Sequence, residues 1–185
     1  MALAARLCRP TSVHCVKAYG KIVDFLRGTK ESGNTQEGGK RGGRRVKAGC
    51  GDFRKTEQAG GEGGEGRSRR LPPRMALHSF TGSVEVARDI LRLGGDDREC
   101  EVYFGFSAAV NMRGDRERKR FLEVVRVIPD SQVLIETDRH AVPMADASDE
   151  LLRVCGGIAE AKGISVEEAV SLANRNAIRF LEATN

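Results

Sequence analysis

Short runs rich in β-branched and aromatic residues alternate four times with segments of helical periodicity, and this alternation constrains the fold more than any other feature. The strand-like runs TSVHCV, MALHS, EVYFGFS and QVLIE begin at Thr11, Met75, Glu101 and Gln132. Strands separated by helices are typical of βα units that build a parallel sheet. The pattern therefore predicts an α/β fold with four parallel strands.

Helical spacing of apolar residues follows each run. It predicts helices over 17–27, 84–93, 116–127, 149–162 and 166–182. Ser83 is placed to cap the second helix, and Gly94 suits the left-handed position at its end. Ser165 and Glu168 have the spacing of a reciprocal capping box.

Residues 28–70 have a composition unlike the rest of the chain. They hold 11 Lys/Arg against six Asp/Glu, a net charge of +5, whereas the remainder holds 20 of each sign. They also contain 13 of the 22 glycines and few apolar side chains, so they cannot bury enough surface to offset their ordering entropy. We predict a disordered insertion at 28–70 within a folded domain made of 1–27 and 71–185.

The insertion has three interpretations. GGKRGGRR is an arginine- and glycine-rich nucleic-acid contact, a solvated low-complexity loop, or a wrongly translated intron. No apolar run approaches the roughly 20 residues that span a bilayer, so no membrane association is expected. We expect a cytoplasmic protein; the Arg- and Ser-containing start also resembles an organellar transit peptide, and a nuclear location is a further alternative.

Polar side chains stand at the ends of the predicted strands, where parallel strands bring them to one edge of the sheet. They are His14, His78, Ser107, Glu136 and Asp138. Histidine and aspartate are ligands that zinc and similar divalent ions accept. The alternatives are hydrogen-bonded core histidines, a capping role for Asp138 and an ion pair between Glu136 and Arg139.

Five segments together resemble the C-terminal half of TatD-related metal-dependent deoxyribonucleases, which belong to the amidohydrolase superfamily. They occur in the family's order, and two of them contain the signatures HSFTGS and ETD. The segments are RPTSVHCVKAYG, LHSFTGSVEVA, YFGFSAAV, VLIETDRHAVP and GISVEEAVSLANRNAIRFLEA.

The resemblance implies a (β/α)₈ TIM barrel that hydrolyses phosphodiester bonds of DNA with two divalent ions, which are zinc, magnesium or manganese. By position, His14 and His78 match metal-binding histidines. Asp138 matches an aspartate that binds metal and handles the proton of the attacking water, and Glu136 supports the site without ligating.

The chain lacks two parts of the family's ligand set, a His-x-His pair and a bridging glutamate. We therefore expect a partial barrel of about the last four βα units, with weakened metal binding and impaired hydrolysis. The alternatives are a catalytically inactive barrel remnant with a binding role and nucleic-acid binding through the basic insertion. The sequence leaves the oligomeric state open.

Overall fold

The computed structural model describes residues 1–34, 71–94, 100–140 and 143–182. The predicted insertion at 28–70 lies outside the described residues from position 35 onward. Its first residues belong to a helix, α2, that spans Tyr19–Asn34 and so continues past the predicted end at 27. Each residue added to an existing helix gains a backbone hydrogen bond, which lets a helix extend into sequence without an apolar face.

Four strands form one parallel sheet, as the sequence predicts. They are β1 (Thr11–His14), β2 (Arg74–His78), β3 (Glu101–Ser107) and β4 (Val133–Glu136). The strand order is β1-β2-β3-β4, and all three pairings are parallel. The order in space follows the order in sequence, so each helical connection passes over the same face of the sheet.

The remaining helices are α1 (Ala2–Arg6), α3 (Val84–Leu93), α4 (Ala108–Asn111), α5 (Asp115–Val127), α6 (Met144–Lys162) and α7 (Val166–Leu181), with a 3₁₀ turn at Asp130–Gln132. α6 begins five residues before its predicted start, directly after Pro143. α4 was not predicted, because its one turn is too short to give a periodic signal. None of the helices in the described ranges is long and apolar enough to cross a membrane.

Two of the three capping predictions are confirmed. Ser83 accepts a hydrogen bond from the Val86 amide, and Ser165 and Glu168 form the reciprocal capping box. The prediction for Gly94 is wrong, since its φ is −113°. A Cβ at Gly94 would lie 2.5 Å from Val102 Cγ2, so packing requires the glycine there. A left-handed glycine is found at the end of a different helix, α6, where Gly163 has φ 69°.

The main core lies between the sheet and its helices. Val102, Phe104 and Phe106 alternate along β3 and are fully buried against the helical layer. Phe106 meets Phe121 of α5 edge to face, with ring centroids 5.1 Å apart. This packing holds the strands in place beneath the edge that carries the polar residues.

The opposite face of the sheet is covered near the starts of the strands by the end of α7. Tyr103 is fully buried and meets Phe180 edge to face at 5.3 Å. Glu101 accepts from the Tyr103 hydroxyl at 2.9 Å and pairs with Arg179 at 2.7 Å. Burial, followed by the hydrogen bond to Glu101, raises the pKa of Tyr103, so it stays a neutral donor.

Two adjacent glycines of α6 provide a matched test of the α5–α6 packing. A Cβ at Gly157 would overlap the side chains of Met112 and Phe121, whereas a Cβ at Gly156 would meet nothing within 4 Å. Gly157→Ala should lower the free energy of unfolding by about 1–3 kcal/mol through overpacking. Gly156→Ala should raise it by up to about 1 kcal/mol through helix propensity. Urea unfolding of both variants checks this; equal effects would contradict the packing.

Candidate functional site

The predicted site residues lie at the carboxyl edge of the sheet. His14 and His78 end β1 and β2 and are register partners, and Ser107 and Glu136 hold the same relation at the ends of β3 and β4. Asp138 follows two residues after β4. The structure therefore places all five on one edge, as the strand pattern predicts.

His78 is the centre of this group, because each of its ring nitrogens contacts a carboxylate. Its Nδ1 lies 2.5 Å from Glu136 Oε2, and its Nε2 lies 2.7 Å from Asp138 Oδ1. All three side chains are about a quarter exposed, so solvent reaches the group while His78 remains in contact with both carboxylates. The two contacts fix both the position and the tilt of the imidazole ring.

The protonated form of His78 is favoured by this arrangement. Partial burial lowers the pKa of His78, but the hydrogen bond to Asp138 and the charge of Glu136 outweigh burial, and the net pKa is raised. An imidazolium can donate from both nitrogens, one to each carboxylate.

Ser79 connects the two carboxylates to the rest of the edge. Its amide donates to Glu136 Oε1 at 2.5 Å, and its Oγ lies 3.1 Å from Glu136 Oε1, from Asp138 Oδ2 and from Ser107 Oγ. Ser79 is not among the site residues predicted from the sequence. Its position directly after a strand-terminal histidine, within HSFTGS, is the signal that could have identified it.

The backbone at this edge is strained at two positions. Ser79 has φ 42° and Asp138 has φ 56°, both in the left-handed region that non-glycine residues seldom adopt. Such residues persist where surrounding contacts hold them. Here those contacts are the hydrogen bonds between Ser79 and the two carboxylates.

Gly105 provides the space that Glu136 occupies. A Cβ at this position would lie 2.9 Å from Glu136 Oε1 and 3.3 Å from the Leu77 carbonyl oxygen. A larger residue would push the carboxylate away from His78. The glycine of YFGF is thus part of the site's geometry although it has no reactive group.

The contacts exclude the ion pair between Glu136 and Arg139 and a helix-capping role of Asp138 at α6. Arg139 pairs with Glu150 at 2.8 Å rather than with Glu136. The residue that precedes the first turn of α6 is Pro143, so Asp138 does not cap that helix. The alternative of a hydrogen-bonded core histidine applies to His78 in part. Both of its ring nitrogens are hydrogen-bonded, but the side chain is about a quarter exposed.

His14 lies beside the group without joining its hydrogen bonds to Glu136 or Asp138. Its ring centroid is 5.5 Å from that of His78, at an interplanar angle of 41°, and the residue is exposed. Within the described part of the chain, no group of three or more His, Cys, Asp or Glu residues is arranged to hold a metal ion.

These residues fit a divalent cation in kind and fall short in number. His78 Nε2 and Asp138 Oδ1 are potential metal ligands that lie next to each other. Glu136 contacts Nδ1, and a carboxylate at that position commonly orients a metal-binding histidine. A catalytic zinc site usually has three protein ligands. The described residues of one chain bring two together.

The raised pKa of His78 predicts the effect of removing a carboxylate. In metal-free protein, Asp138→Asn should lower the pKa of His78, since it removes the strongest interaction that favours the imidazolium. A raised pKa adds stability below the unfolded value near 6.5, which is lost as pH rises through the folded pKa. NMR titration of the ring and unfolding at several pH values check both effects.

The exposed Asp24→Asn on α2 is the control for that titration, and it should leave the pKa of His78 unchanged. An unchanged pKa in Asp138→Asn would contradict the contact between Asp138 and Nε2.

Comparison with known proteins gives a consistent assignment. The family model described as TatD related DNase matches residues 1–182. Cut9-interacting protein scn1 of Schizosaccharomyces pombe is 29% identical over 188 aligned positions, which cover 98% of this chain and 48% of that protein. Uncharacterized metal-dependent hydrolase YabD of Bacillus subtilis is 33% identical over 110 positions, which cover 56% of this chain and 39% of that protein.

Solved structures show the same fold. The chain matches a hydrolase TatD family protein from Entamoeba histolytica with a TM-score of 0.54 and 15% identity, covering 95% of this chain and 51% of that one. It matches an amidohydrolase from Saccharomyces cerevisiae with a TM-score of 0.53 and 16% identity, covering 92% and 53%. The chain thus spans about half the length of these relatives, and it belongs to the TatD-related DNase family.

Proposed function

We propose that the chain is a TatD-type metal-dependent hydrolase that cleaves phosphodiester bonds of DNA, with activity impaired by an incomplete ligand set. The observation that carries the proposal is His78, held between Glu136 and Asp138 at the carboxyl edge of a parallel sheet. Its four βα units would be the second half of a (β/α)₈ barrel.

His78 Nε2 and Asp138 Oδ1 would hold the divalent cation, with His14 as the adjacent donor on β1. When bound, such an ion polarises the phosphate and lowers the pKa of water. Glu136 keeps Nδ1 engaged, so that Nε2 is the nitrogen directed at the ion. To bind a cation, His78 must first lose the proton on Nε2. Because the pKa of His78 is raised, protons compete with the cation at low pH.

Asp138 would accept the proton of the attacking water. Its Oδ2 is 3.1 Å from the Ser79 hydroxyl, which orients the carboxylate while Oδ1 faces His78. Because the Ser79 hydroxyl has one proton and three oxygen neighbours, it can shift its donation when the charge on Asp138 changes.

A catalytically inactive remnant with a binding role is the second candidate. It is supported by the absence, among the described residues, of a three-member metal group and by coverage of only about half of each relative. Under this alternative the edge would retain the family's shape and charge without turnover.

Nuclease assays separate these candidates. With added zinc, magnesium or manganese, the purified chain should hydrolyse DNA far more slowly than a full-length relative, and Asp138→Asn should abolish what remains. Robust turnover that disappears in Asp138→Asn would contradict impairment. No turnover in either protein would favour the inactive remnant.

The basic insertion gives a separate prediction. Deleting residues 28–70, with their net charge of +5, should leave any hydrolysis unchanged if the strand-end group carries the function. A deletion that instead removes DNA binding, measured as a loss of the salt-dependent affinity, would assign that binding to the insertion.

A further inference from the structure

We propose that two copies of this chain pair through the open edges of their sheets, so that β1 of each copy lies beside β4 of the other. The result would be a homodimeric eight-stranded parallel barrel. In it, His14 of the second copy would come beside Asp138 of the first. The pairing of the two copies does not depend on the proposed function, whereas the added metal donor rests on it.

The sheet has two unpaired edges in the described residues. β1 pairs only with β2 there, and β4 only with β3. A strand at the edge of a sheet presents unpaired amide and carbonyl groups, and closure into a barrel removes such edges. Since all four strands are parallel, a twofold axis along the barrel brings β4 beside the second copy's β1 in the parallel sense, twice over.

Apolar surface flanks both edges. Beside β4, a groove of about 270 Å³ is lined mostly by apolar residues, including Ile135, Leu151, Leu152, Val170 and Ala177. On the β1 side, Leu3, Leu7, Val16 and Phe25 are each between 39% and 65% exposed. In the proposed dimer each apolar edge covers the other, which is the arrangement a self-complementary interface requires.

The two edges also carry opposite charge. Residues 1–28, which form the β1 side, hold five Lys/Arg against one Asp, a net charge of +4. Residues 144–182, which form α6 and α7 on the β4 side, hold four Lys/Arg against seven Asp/Glu, a net charge of −3. The β1 side of one chain is therefore complementary in charge to the β4 side of another. A second copy of the chain is the partner that matches both edges.

Pairing would also add a donor to the strand-end group. β1 ends at His14 and β4 is followed by Asp138, and adjacent strands lie about 4.8 Å apart. His14 of the second copy would therefore approach the His78–Asp138 pair from its open side. Each copy would gain the third donor that the described residues of a single chain do not bring together.

The mass of the full chain in solution tests the proposal directly, without metal or DNA. Light scattering after size exclusion and sedimentation velocity should show a dimer. Lys17→Glu with Lys21→Glu changes the net charge of residues 1–28 from +4 to 0, and Asp149→Lys with Glu167→Lys changes that of residues 144–182 from −3 to +1. Each double variant alone should weaken dimerisation by on the order of tenfold or more, because the attraction between oppositely charged edges is then lost.

An equimolar mixture of the two double variants should restore the dimer, because one interface then joins two unsubstituted edges and the other places the introduced acids against the introduced lysines. Arg116→Glu on the exposed side of α5, away from both edges, is the control and should remain dimeric with an unchanged circular dichroism spectrum. A wild-type monomer at every concentration, a larger oligomer, or a mixture that fails to re-form dimers would overturn the proposal.

The contribution of His14 has its own readout. In the dimer, His14→Ala should weaken zinc binding by roughly tenfold or more, measured by calorimetry, and the same change should have a smaller effect in the monomeric Lys17→Glu/Lys21→Glu variant. Zinc affinity that His14→Ala leaves unchanged in the dimer, or lowers equally in dimer and monomer, would overturn the placement of His14 of the second copy beside Asp138.

Discussion

Parallel pairing of four strands is the constraint on which the rest of the structure depends. Because β1 to β4 are parallel and in sequential order, their carboxyl ends meet at one edge, and every residue that ends a strand is delivered there. The buried residues of β3, Val102, Phe104 and Phe106, fix the strands against the helices and leave the alternate positions for the opposite face. A polar group can then be assembled without disturbing the core.

The polar side chains at this edge interact mainly through their charges. His78 contacts two carboxylates and has a raised pKa, so protonation of its ring places one positive charge between Glu136 and Asp138. A cation at Nε2 would take over that role in place of the proton. The left-handed backbone at Ser79 and Asp138 is the cost of directing these oxygens toward one ring. Under the proposed function, the same contacts that hold the metal-free group together would also preorganise His78 as a metal ligand.

Much of this could be predicted from sequence, because strand–helix alternation and strand-end polarity are local patterns. The four strands, their parallel order and the shared edge of His14, His78 and Asp138 follow from them. Contacts between distant segments could not be predicted. The glycine at 94 is required by Val102 rather than by its own φ, and Arg139 pairs with Glu150 instead of Glu136. Helix periodicity likewise predicted an end of α2 at residue 27, whereas the helix continues to Asn34, since hydrogen bonding can extend a helix beyond its apolar face.

The comparisons and the geometry limit the site in the same way. The part that this chain matches is about half of the length of scn1 and of the two solved structures, and the described residues of the chain bring two candidate metal donors together where three are usual. The partial match in length and the small number of donors are related, because in a closed barrel the ligands come from strands all around the mouth. Among the described residues no strand pairs with β4 on the side away from β3, so whichever strand pairs there decides what Asp138 faces.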